Sequence, residues 1–126
     1  MTASAVFMAL LGLAASFAPR ELLGWFGAAA TGIVPLIVQL LGALYLAFAM
    51  LNWMAREVLI GGIYSRPVAL GNFMHFAIGA LALVKGISAA HGGGPFWALC
   101  ALYVLFGIWF GAVLFGSPVK AQSNRQ

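Results

Sequence analysis

Apolar residues run through the chain in four long stretches, at about residues 3–18, 33–55, 67–90 and 95–115, separated by short clusters of glycine, proline and charge. A helix needs about 20 mainly apolar residues to cross the hydrocarbon core of a bilayer. The last three stretches meet that length, and the first falls slightly short. Pro35, Pro67 and Pro95 each stand at the start of a stretch, where a missing N–H costs a helix little. Ser65 is expected to cap the third helix. After the first stretch, "PRELLGWFG" places Leu22, Leu23, Trp25 and Phe26 beside Arg20 and Glu21. That pattern predicts a short interfacial helix with Trp25 at head-group level.

Each long stretch also has a small or polar stripe. Helical residues advance about 100° per position, so Gly42, Tyr45, Ala49, Asn52 and Arg56 share one face of the second helix. Gly71, Asn72, His75, Gly79, Ala82 and Gly86 share a face of the third. Cys100, Val104, Gly107 and Gly111 do so in the fourth, with Tyr103 at the edge. In the first helix the stripe is Ala5, Met8, Ala9, Gly12 and Ser16. Leu, Ile, Val and Phe occupy the other faces. Lipid makes this inversion favourable: small residues let helices approach, and polar ones turn inward. The predicted fold is therefore all-α, a four-helix transmembrane bundle over residues 1–116 with a short interfacial helix after helix one. Residues 117–126 form a polar tail.

Composition sharpens this reading. The chain of 126 residues is 64% hydrophobic and 6% charged, against roughly 25% charged in a soluble domain. A soluble fold of this size has too much surface for its interior to hide so much apolar side chain. The first stretch is read as a helix rather than a signal peptide, because no Lys or Arg precedes it, although "AASFA" resembles a cleavage site. Four crossings put Arg56, Arg66, Lys120 and Arg125 on one side, and Arg20 and Lys85 on the other. By the positive-inside rule both termini are expected in the cytoplasm. The net charge of +4 is not gathered on a soluble face, so nucleic acid is not an expected partner. Membrane lipids are, together with a membrane-protein partner subunit or further copies of the chain.

The candidate chemistry is sparse. Glu21 and Glu57 are the only acids, and both look interfacial. Proton exchange through a membrane-embedded carboxylate and a Ser-His-Asp set are thus excluded. His75 and His91 are sixteen residues apart, about 24 Å if helical, too far to clamp a haem. A lone Cys100 rules out an intrachain disulfide, and too few ligands remain for a metal cluster. No catalytic residue, metal or resident cofactor is assigned, and the residues weigh against an enzyme without deciding it. His75 stands out, since an ionisable group inside a membrane segment is a functional candidate. Asn52 lies about 6 Å deeper than Arg56, and His75 about 12 Å in from Pro67. With helices two and three antiparallel, Asn52, Arg56, Asn72 and His75 are expected at similar depth, with Tyr45 on the same stripe. They would form either a ligand pocket in the cytoplasmic half of the bundle or a structural hydrogen-bond network. Arg56 would hold an anionic group at the mouth, or simply snorkel to head groups. Gly107 and Gly111 form a GxxxG pair, read with Gly42 and Gly79 as close packing inside one bundle.

Three segments, "FAPRELLGWFG", "QLLGALYLAFAMLNWMAR" and "GIYSRPVALGNFMHF", resemble the DoxX-like group of small four-helix bacterial membrane proteins over roughly residues 7–76. The resemblance implies the four-helix plan with a proline-led interfacial piece. Some members are subunits of membrane oxidoreductases acting on sulfur compounds and quinone. Two functions are therefore expected. One is a non-enzymatic accessory subunit, or a lipid- or small-molecule-binding protein. The other is a component of a membrane oxidoreductase binding quinone or a related ligand.

Overall fold

The computed structural model describes residues 1–57, 65–86 and 93–116. These form five α-helices: α1 (Thr2–Phe17), α2 (Pro19–Trp25), α3 (Val34–Met54), α4 (Ser65–Gly86) and α5 (Gly94–Gly116). A 3-10 turn, Ala55–Glu57, extends α3. There are no strands among the described residues. The polar tail from residue 117, the centre of the loop between α3 and α4 and the expected extension of the third helix to residue 90 fall outside the described residues.

The prolines act locally. A residue before proline is pushed out of the helical region by the pyrrolidine ring. Ala18 accordingly has φ −131° and ψ 53°, and α1 stops there. Pro19 then opens α2, where its ring suits the first turn. The chain turns by 110° between the two helices. α2 ends in a double hydrogen bond: Gly27 N donates to Gly24 O at 3.0 Å, and Ala28 N to Leu23 O at 2.9 Å. This closure needs a left-handed residue at its corner, and Gly27 supplies it with φ +68°. Pro35 and Pro95 stand in the first turns of α3 and α5. α4 begins at Ser65, two residues ahead of Pro67.

The long helices pack as two antiparallel pairs. In the first, Gln39 Nε2 donates to Ser16 O at 3.3 Å, Gly12 lies against Gly42 and Leu46, and Ser4 meets Asn52. A Cβ on Gly42 would fall 2.7 Å from Ser16 N and 2.9 Å from Gly12 O. Glycine is required because α1 and α3 touch there backbone to backbone. In the second pair, Gly79 lies under the Tyr103 ring. Gly107 faces the backbone of Phe76 and Ala77 at 3.7 Å, and Gly111 faces Phe73. Both glycines of the GxxxG pair are thus turned to α4 of the same chain.

Aromatic rings join the two pairs. Phe76 is fully buried. Its ring stacks on Phe106 (4.9 Å between centroids) and Phe110 (5.9 Å), and meets Tyr103 edge-on at 5.3 Å. Phe7 of α1 reaches Phe76, Tyr103 and Phe106 from the other pair. The α5 stripe is rotated from the expected one: Cys100, Tyr103, Gly107 and Phe110 are buried, while Val104 is exposed. Filling the space beside Phe76 takes two large rings on the α5 face, which a valine could not do.

Burial is inverted relative to a water-soluble bundle. Asn52 and Asn72 are 0% exposed, whereas Leu10 is 65% and Ile108 69% exposed. α3 with its 3-10 turn, α4 and α5 are each long and apolar enough to cross a membrane, as expected of an integral membrane protein. α1 has 16 residues, about 24 Å of helix against a core of about 30 Å. It passes the same test only together with α2, as a bent pair.

Candidate functional site

The polar residues of the core fall into two layers. The first ties α1, α3 and α4. Asn52 Nδ2 donates to Asn72 Oδ1 at 2.8 Å, and Asn72 Nδ2 returns a bond to Asn52 Oδ1 at 2.5 Å. Asn72 Nδ2 also donates to Val68 O, one turn back on its own helix (2.8 Å). Asn52 Nδ2 further reaches Ser4 Oγ at 3.2 Å and Met8 Sδ at 3.6 Å. Ser4 Oγ in turn donates to Met1 O at 2.7 Å. Each amide has two N–H donors and one carbonyl acceptor, and all are engaged. Between antiparallel helices this reciprocal pair is the arrangement by which two asparagines satisfy each other away from water. Bonds of this kind in membranes average about 0.6 kcal/mol and reach about 1.7.

The second layer joins α3, α4 and α5. The hydroxyls of Tyr45 and Tyr103 are hydrogen-bonded to each other. Tyr103 Oη is also 3.2 Å from His75 Nε2. The imidazole is half-buried inside a ring of aromatics. It stacks on Phe48 at 5.5 Å and meets Tyr45 at 5.3 Å and Phe76 at 5.1 Å, both edge-on. Its Nε2 bonds Tyr103, and Nδ1 has no hydrogen bond among the described residues. Either nitrogen carries the proton, so this edge offers a donor or an acceptor to a partner.

Arg56 stands apart from both layers. Its Nη1 donates to Trp53 O at 2.9 Å, its Nη2 to Glu57 Oε1 at 3.0 Å, and the guanidinium lies 4.0 Å over the Trp53 ring. The expected four-residue grouping thus divides into three: a closed asparagine pair, a histidine backed by two tyrosines, and an exposed arginine at the helix end. The common depth expected for the four residues does not hold for His75, which lies nearly one turn beyond Asn72 on α4, about 4.5 Å, and so faces a deeper part of α3. Tyr45 sits about two turns deeper than Asn52, and it is this residue, with Phe48, that meets the imidazole.

Sequence reasoning placed Tyr103 only at a stripe edge, yet it is the direct partner of His75. Ser4 was missed altogether, although a serine within an apolar run was a visible signal. Cys100 is buried and unpaired, and the described residues hold no group of three metal-ligating side chains. Compared with protein-family models, curated proteins and solved structures, the chain finds no match in any of the three.

Proposed function

We propose that this chain is a small integral membrane protein that binds a lipophilic small molecule or lipid through His75, without catalysing a reaction itself. α1, α3, α4 and α5 would form a four-helix transmembrane bundle, and α2 would lie at the interface. The positive-inside argument favours both termini in the cytoplasm, and the DoxX-like resemblance favours a bacterial inner membrane.

One observation carries the binding reading. His75 is half-buried within an aromatic ring of Tyr45, Phe48, Phe76 and Tyr103, with Nε2 anchored on Tyr103 and Nδ1 without a hydrogen bond among the described residues. An apolar wall with one oriented polar group is the usual make-up of a small-molecule site. Tyr45 and Tyr103 hold the imidazole in place. Asn52 and Asn72 are fully buried and bonded to each other, with their N–H donors engaged, so their part is to tie the helices. The oxidoreductase-component alternative uses the same atoms. A quinone carbonyl would accept a hydrogen bond from Nδ1–H, with its ring against Phe48. The DoxX-like resemblance is consistent with that ligand but assigns no residue to it.

The test is mass spectrometry and an absorption spectrum of the gently solubilised protein. The His75→Ala variant should lose the copurifying molecule while the helical content stays. Retention of that molecule by the variant would reject the site.

A further inference from the structure

A second feature lies away from His75, on the outer surface where α1 and α3 pack. A groove of about 410 Å³ runs between these helices. Buried Ala5 and Ala49 lie at its floor; Leu10, Leu46 and Met50 form its walls, and Trp53 ends it. From Trp53 to Leu46 it extends about 10 Å along α3. Its lining has no charged side chain. The Trp53 end is different, because the guanidinium of Arg56 rests 4.0 Å over that indole.

We infer that this groove is a binding site for an anionic phospholipid, with an acyl chain lying along the alanine floor and the phosphate on Arg56. A ligand matched to it needs a negative head and an apolar tail, in that order from the helix end inward. Two features ready Arg56 for the head. Stacking on Trp53 and the bond to Trp53 O hold the guanidinium in one orientation, so less side-chain freedom is lost on binding. Two of its five N–H groups bond within the chain, leaving others for phosphate oxygens. Glu57 is the competing anion, but its side chain is 80% exposed. Exposed pairs of this kind contribute about 0–1 kcal/mol, so a phosphate displaces it at little cost. A zwitterionic head group brings its own cation and gains less from the exchange.

This inference rests on the reading of the chain as a membrane protein and is independent of the His75 site. The protein is equilibrated with vesicles of phosphatidylglycerol and phosphatidylcholine in equal amounts, gently solubilised, and its bound lipid counted by native mass spectrometry. Wild type should retain phosphatidylglycerol roughly five- to tenfold over phosphatidylcholine, the scale set by one basic residue at a membrane surface. Arg56→Gln should bring the ratio close to that supplied. Arg66→Gln removes the same charge at the same end of the bundle, outside the groove, and should leave the preference intact. Ala9→Leu fills the groove and should lower bound lipid with Arg56 still present. His75→Ala should change none of these values. Equal losses in the two arginine variants would mean diffuse surface attraction and overturn the site. So would an unchanged ratio in Arg56→Gln, full lipid retention in Ala9→Leu, or a dimer that excludes lipid from wild type.

Discussion

Gly42→Ala is the sharpest probe of how the two helices of the first pair are held. The added Cβ would sit 2.7 Å from Ser16 N and 2.9 Å from Gly12 O. Both are backbone atoms of α1, so no rotamer change relieves the contact. Ordinary contact begins at 3.4 Å, so α1 and α3 must separate by about 0.7 Å, the gap between 3.4 and 2.7. Overpacking of this type costs about 1–3 kcal/mol. Alanine recovers up to about 1 kcal/mol of helix propensity, so from the middle of that range, about 2 kcal/mol, a net loss of about 1–2 kcal/mol remains. That is a factor of about 5–30 in the folded-to-unfolded ratio. Gly107→Ala is the internal control. Its Cβ would meet α4 at 3.7 Å, an ordinary contact, so only the propensity gain remains. Reversible unfolding of both variants in mixed micelles, monitored by circular dichroism, should rank Gly107→Ala at or above wild type and Gly42→Ala below it. Equal stability of the two alanine variants would refute the backbone contact between α1 and α3.

Three further outcomes are expected. Asn72→Ala strands the Asn52 carbonyl in the core and should destabilise the fold by about 1–2 kcal/mol while ligand copurification at His75 persists, read by the same unfolding assay and by mass spectrometry. Gly79→Ala drives a methyl into the Tyr103 ring; it should break the Tyr103–His75 bond and lower ligand retention at least as much as Tyr103→Phe does. Reporter fusions after residue 116 and within "HGGGP" should report opposite sides of the membrane, the first cytoplasmic; a periplasmic C-terminus would reverse the orientation.

Much of the secondary structure was legible before any coordinates. Apolar length and the positions of Pro19, Pro35 and Pro95 determine where helices run and break, because these are local steric and solvation effects. The inward direction of Asn52, Asn72, Gly42 and Gly107 was legible too, since a helix advances by a fixed angle per residue. Pairing was not. Periodicity gives the direction of a side chain within its own helix, but says nothing of the stagger and rotation of one helix against another. α4 starts two residues earlier than its proline suggested, and α5 is turned so that Tyr103 and Phe110 face inward while Val104 faces out. Packing around Phe76 settles the rotation of α5, and that is a property of the assembled core. The tertiary structure alone therefore decided that Asn52 bonds Asn72, that His75 bonds Tyr103, and that Arg56 turns outward onto Trp53. The sequence by itself had determined that such polar groups must find partners, because lipid offers them no water.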